Sequence, residues 1–203
     1  MMRWHALPFA AAVAAALSLA GCASAPPERF YSLSNGMAPA SGVADPGYFI
    51  EVQNVSVPQQ VARSQLVVTS GEGRIDVLEQ ERWSSPPASE IGQALSLAVS
   101  GELGAIDVFH TQPPEKATVY RISTGVLRFE SAPGKYALLD AVWSVRQAGS
   151  TQVLTCRSTA REDVAAGFDA LVIGHRRALA RVATDIAKAV RSQAAGKGAC
   201  PAN

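Results

Sequence analysis

Residues 117–162 read ATVYRISTGVLRFESAPGKYALLDAVWSVRQAGSTQVLTCRSTARE, and this stretch decides the fold. It holds three long extended runs, Ala117 to Glu130, Tyr136 to Gln147 and Thr151 to Glu162. The turns Ala132-Pro133-Gly134 and Ala148-Gly149-Ser150 separate them. Strands joined this tightly run antiparallel, because a parallel return needs a crossover of a dozen or more residues. The stretch is an antiparallel meander.

Working outward, Phe168 to about Ser192 predicts an amphipathic helix. Phe168, Leu171, Val172, His175, Leu179, Val182, Ile186 and Val190 share one face, while the charged residues lie elsewhere. A second helix is predicted from about Ala88 to Leu103, with Ile91, Leu95, Ala98, Val99 and Leu103 at helical spacing. Serine from Ser84-Ser85-Pro86-Pro87 can cap it, and a proline is tolerated in its first turn. Shorter strands are expected at Arg29 to Ser34, Tyr48 to Val57, Ser64 to Thr69, Arg74 to Gln80 and Ile106 to His110. Gly71-Glu72-Gly73 is a hairpin signal between two of them. Together these predict an α+β domain: a two-layer sandwich of a mostly antiparallel sheet with two amphipathic helices packed on one face. There is no internal repeat.

The amino terminus carries a different signal. Arg3 precedes an uncharged apolar run from Ala6 to Leu19, and Leu19-Ala20-Gly21-Cys22 follows. A basic start, a short apolar region and small residues before the cleavage point are the parts of a secretory signal. The cysteine at its end makes the motif similar to a bacterial lipobox. Cleavage before Cys22, a thioether-linked diacylglycerol and an N-acyl chain are the implied modifications. Two or three acyl chains, at about 0.8 kcal/mol per buried CH₂, anchor durably where one does not. Ala6 to Ala20 is shorter than the roughly 20 apolar residues that a membrane-spanning helix needs. Ala23, rather than Asp, follows the cysteine, so the expected destination is the periplasmic face of the outer membrane. The expected organisation is a signal at 1–21, a lipidated tether at 22–28 stiffened by Pro26 and Pro27, one domain at 29–192, and a flexible tail at 193–203.

Taking away Arg3 from 18 Lys+Arg leaves 17 against 17 Asp+Glu, a formally neutral mature chain. That argues against nucleic acid as partner, since phosphate neutralisation needs a basic surface. An oxidising periplasm permits a disulfide between Cys156 and Cys200. A buried free Cys156 with a disordered tail cysteine is the alternative. No metal site is expected, because His110 and His175 lack paired-ligand spacing. No nucleophile elbow, phosphate loop or zinc-protease motif is present. His175 on an apolar helix face reads as a core or rim residue. Glu79 and Glu81 share one face of a strand but read as a solvated edge. The basic residues of the last helix (Arg176, Arg177, Arg181, Lys188 and Arg191) form either a patch for lipid head groups or an acidic partner, or a solvated face. The expectation is a binding or structural role, with no cofactor and no catalytic residue.

Val57-Pro58-Gln59-Gln60-Val61-Ala62-Arg63-Ser64-Gln65-Leu66-Val67 resembles the Val-Pro-x-x-Leu-x-Arg-x-Gln-hydrophobic-Val signature of the ABC-type transport auxiliary lipoproteins, the PqiC-like family. Glu81-Arg82-Trp83-Ser84-Ser85-Pro86 is similar to that family's second signature. Phe30-Tyr31-Ser32-Leu33 and the amphipathic last helix fit as well. The departures are Val61 in place of leucine and Pro87 where leucine is common. The resemblance implies a partner, an MCE-domain protein of a system moving lipids or other apolar molecules between the membranes of diderm bacteria. It implies partner-binding residues at Arg63, Gln65, Arg82 and Trp83. Arg63 offers a planar fork of donors, and Trp83 a large amphipathic surface. Alternatively, Arg63, Gln65 and Arg82 tie loops to the sheet while Trp83 fills a gap beside the first helix. A homo-oligomer serving a hexameric channel stays open. So do a periplasmic lipid carrier, with lipid held between helices and sheet, and a general envelope-maintenance lipoprotein.

Overall fold

The computed structural model describes residues 26–37 and 46–202; the signal region and Cys22 lie outside the described residues. Among the described residues seven strands form two sheets. The four-stranded sheet is built on the meander: β5 (Val119–Ala132), β6 (Tyr136–Gln147) and β7 (Leu154–Asp163) pair antiparallel. Beside β5 lies β2 (Phe49–Val52), giving the order β2-β5-β6-β7. The second sheet has the order β1-β4-β3, from β1 (Arg29–Tyr31), β3 (Gln65–Gly71) and β4 (Arg74–Trp83). Helices α1 (Pro87–Leu103) and α2 (Phe168–Ala194) complete the α+β sandwich.

Both sheets are mixed, because β1 runs parallel to β4 and β2 parallel to β5. The β2-to-β5 connection includes β3, β4 and α1, a crossover long enough for a parallel return. Turn chemistry is legible locally at the hairpins, whereas these distant pairings have no local signal. Gly134 illustrates the former: it sits at φ 71 in the β5–β6 turn, where glycine has no steric cost.

Two expected strands come out differently. The run from Tyr48 ends as a strand at Val52, and its alternation reverses beyond Gln53, with Asn54 exposed and Val55 buried. The cause is one extra residue: the Gln53 amide bonds to Ile122 and the Ser56 amide to Thr124, so three steps on one side match two on the other. Leu127 in β5 is a similar insertion, and beyond it the buried set shifts from Ile122, Thr124 and Val126 to Phe129 and Ser131. Ile106 to His110 is not a strand; among the described residues it makes a single parallel bridge, Asp107 to Ile50. The Asp107 carboxylate takes the amides of Val52 (3.2 Å) and Phe109 (2.9 Å), and so competes with a regular ladder.

The core lies between α2 and the inner face of β6 and β7, with α1 packed on α2 and β2. The apolar stripe expected on the last helix is buried from Leu171 to Val190, interleaved with fully buried Ala178, Ala183, Ala187 and Ala189. Small side chains bring this helix close to the sheet. Gly174 is the extreme case, because a Cβ there would overlap the Val164 Cγ1 and lie 3.1 Å from the Ala137 Cβ. Trp143 on β6 is fully buried, and its indole nitrogen donates to the Ser158 hydroxyl at 3.1 Å.

Candidate functional site

The strand pairing that builds the second sheet also gathers the signature residues. Gln65 at the start of β3 is the register partner of Arg82 near the end of β4. Arg82 donates to Glu28 at 2.6 Å, tying the chain that leads from the amino terminus to the sheet. Gln65 donates to Glu79 at 3.3 Å. Arg63, two residues earlier, is exposed, and its guanidinium has no partner among the described residues. The structure thus brings Gln65 and Arg82 together, with Arg63 exposed two residues before Gln65.

Trp83 points inward, in keeping with the packing alternative. Its side chain is only 3% exposed. It packs on Phe129 (centroids 5.9 Å apart) and edge-on to His175 of α2 (6.0 Å). Strand alternation explains the split: neighbouring residues face opposite sides, so Arg82 points outward and Trp83 inward. Its amide donates to the Ser64 carbonyl at 2.6 Å, joining the two signatures through the backbone.

Glu79 and Glu81 are separated in character. Glu81 is buried, accepts from the Tyr31 hydroxyl at 2.5 Å and lies 3.5 Å from Arg29. Burial and this hydrogen bond push the Tyr31 hydroxyl up to about 12. The pair is therefore not a solvated edge, because β1 covers Glu81.

His175 sits in the core, stacked on Phe129 at 4.2 Å, with Nε2 2.8 Å from the Ser131 hydroxyl. Its Nδ1 is buried without a hydrogen-bond partner. Burial pushes its pKa down to about 3 from 6.5. The folded state therefore holds it neutral while the unfolded chain takes up a proton below pH 6.5. Stability should fall as pH drops from 6.5 toward 3, by up to about 1.4 kcal/mol per pH unit from this group. Urea unfolding at pH 7, 6, 5 and 4.5 checks this, and His175→Phe should flatten the slope over that range.

Glu90 is the polar hub that sequence reasoning missed. On the first turn of α1 it is buried, and it accepts from the Leu33 amide (2.7 Å), the Ser84 hydroxyl (2.6 Å) and the Ser85 hydroxyl (2.8 Å). The serines expected to cap α1 serve this carboxylate; the cap position itself is Pro86, without a side-chain cap. Burial works to raise the Glu90 pKa, but hydrogen bonds from Ser84, the Leu33 backbone, Ser85 and Ser32 outweigh it and hold it below 4.5. The sequence signal was Ser-Ser-Pro-Pro followed by a lone acid in the first helical turn.

The basic residues of α2 are engaged within the fold. Arg176 donates twice to the Ser32 carbonyl (2.6 and 3.2 Å), and Arg177 and Arg181 both reach Glu162 at 3.1 Å. Lys188 lies 3.7 Å from Asp185, and Arg191 donates to the Glu102 carbonyl. The four arginines bind α2 to β7, to the segment after β1 and to the end of α1, while the Lys188 pair lies within α2.

Cys156 on β7 and Cys200 of the tail are joined by a disulfide, with Cα atoms 5.8 Å apart and a sequence separation of 44. Reduction, or Cys200→Ser, should cost about 2–3 kcal/mol by freeing the unfolded chain, since disulfides typically contribute 2–4. Unfolding in urea with and without a reductant checks this.

Against known families, residues 31–187 match the ABC-type transport auxiliary lipoprotein component. The chain belongs to this family. No curated protein matches the sequence. Two solved structures share the fold. One is an uncharacterised protein 16% identical, covering 81% of this chain and 99% of its own, with a TM-score of 0.65. The other is a Xanthomonas campestris protein of the DUF330 family, 17% identical, with the same coverage and a TM-score of 0.60. The family match spans both signatures, Glu90, His175 and all of the meander. Among the described residues no helix is long and apolar enough to cross a membrane.

Proposed function

We propose that this protein is the lipid-anchored, outer-membrane component of an ABC/MCE-type intermembrane lipid transport system, docking the periplasm-spanning MCE-domain protein and catalysing no reaction itself. The observation that carries the proposal is the family match over residues 31–187 in a chain whose Leu19-Ala20-Gly21-Cys22 resembles a lipobox. The Glu28–Arg82 bridge supports it, because it seats the domain at the end of a short tether. Exposed Arg63, with Gln65 and Arg82 nearby, offers unspent donors to a partner's carboxylates or carbonyls. The lipid-carrier alternative is less favoured, since the space between α2 and the sheet is filled by Leu171, Leu179, Ile186 and buried alanines.

The test is detergent co-purification of the tagged full-length protein from its native membrane, with crosslinking in the cell. An MCE-domain protein in near-stoichiometric amount is the expected result; bound lipid with no protein partner would overturn the proposal. Arg63→Glu should leave the unfolding midpoint unchanged, since the side chain is exposed, and reduce the recovered partner. Unchanged recovery removes Arg63 from the site.

A further inference from the structure

Among the described residues, no strand pairs with the outer side of β2. The outer edge of β2 is satisfied only in part: Ile50 exchanges backbone hydrogen bonds with Ile106 (3.1 Å) and Val108 (2.9 Å). One step on, the Val52 amide meets no strand among the described residues and donates to the Asp107 carboxylate instead. That side chain stands where a neighbouring strand's carbonyl would be, and Ser96 of α1 holds its other oxygen at 2.6 Å. Beyond it, the Val52 carbonyl and both backbone groups of Asn54 have no partner among the described residues. The facing wall is α1, and between strand edge and helix runs an open groove of about 750 Å³.

An unpaired strand edge is a template for another extended chain, and an edge flanked by a helix gives the side chains of that chain a place to sit. We infer that this groove takes an extended peptide segment of a partner protein, which adds a strand alongside Val52–Asn54 in line with the Ile106–Val108 bridge. The inference rests on the docking function proposed above for the identity of the partner, and on the groove for the mode of binding. The lining suits a neutral segment with mixed side chains. Leu97 and Phe109 give apolar contact, Gln53 and Gln93 give amides, and both oxygens of Asp107 are already engaged. An acyl chain would offer the open backbone groups and the free amide donors no hydrogen-bonding partner. Peptide is therefore favoured over lipid. The edge also leads directly into the 57–67 signature.

The test is a display library of random uncharged heptapeptides selected on the full-length protein. Ser89→Trp on the exposed first turn of α1 fills the groove without entering the core. Glu72→Trp at the β3–β4 turn is the surface control. Selected peptides should slow hydrogen exchange at the Asn54 amide, and should bind about tenfold or more weakly to Ser89→Trp but not to Glu72→Trp. Asn54→Pro, which deletes the donor, should weaken them as well. Peptides that bind Ser89→Trp as well as wild type, or no enrichment at all, overturn the inference. So does a groove that takes lauric acid, lost in Ser89→Trp, while no peptide binds. If the MCE-domain protein co-purifies equally with Ser89→Trp, the inference fails and the docking function stands. If peptides bind the groove but no MCE-domain protein co-purifies, the function fails and the inference stands.

Discussion

Trp83→Ala is expected to destabilise the full-length protein by about 3–5 kcal/mol, the range for removing a buried aromatic from a packed core. The indole fills the junction where β4 meets α2 and touches Phe129 and His175. Alanine would leave a void bounded by two rings and by a helix that cannot slide inward, because Gly174 already brings α2 against Ala137 and Val164. The midpoint of thermal unfolding should drop by roughly 10–15 °C at a chain length of this order. Urea unfolding followed by far-ultraviolet circular dichroism gives the free energy. Trp83→Phe should recover most of the loss, since the aromatic contact with Phe129 is retained. A Trp83→Ala protein of unchanged stability that no longer recovered its partner would return this residue to the binding surface.

The second large effect is at Glu90. Glu90→Ala removes the acceptor of three hydrogen bonds and strands the Leu33 amide in the interior. Hydrogen bonds to charged groups are worth about 1.5–3 kcal/mol each, and an orphaned buried donor costs about 1–3. The hydroxyls of Ser84 and Ser85 can turn to solvent, so the expected net loss is about 3–4 kcal/mol. Glu90→Gln, which keeps one carbonyl oxygen, should lose less.

The pH dependence separates Glu90 from His175. The Glu90 pKa is depressed in the folded state, so its stabilisation is fully present above 4.5 and is lost as pH falls through the lower folded value. Glu90→Gln should therefore remove a loss that begins below pH 4.5. His175→Phe should remove the one that begins at 6.5. A Glu90→Gln protein with the wild-type acid limb would show that the carboxylate does not carry that loss.

Much of this arrangement was legible in the chain. The meander was readable because its evidence is local: two short turns between long extended runs leave antiparallel pairing as the geometric option. The helices were readable because their apolar residues recur at helical spacing, and α2 buries the stripe that the spacing marks. The two signatures pointed to the family that the match over 31–187 establishes.

What only the tertiary structure decided lies at longer range. The division into two sheets depends on β1 meeting β4 and β2 meeting β5, residues about fifty and seventy apart in sequence. A strand's own pattern says which face it buries but not which neighbour it joins. Single-residue insertions near Asn54 and at Leu127 reverse that pattern, and only pairing with another strand reveals them. Arg82 and Trp83 look like one surface motif in sequence; the pleat sends one outward to Glu28 and the other into the core. Glu90 appears as an ordinary acid in a first helical turn until β1 delivers Leu33 to it. The sequence by itself determined the two helices, the long strands of the meander, their local turns and the family. The fold decided which polar groups are satisfied, because a hydrogen bond depends on where two chain segments meet, and hydrophobic spacing carries no record of that.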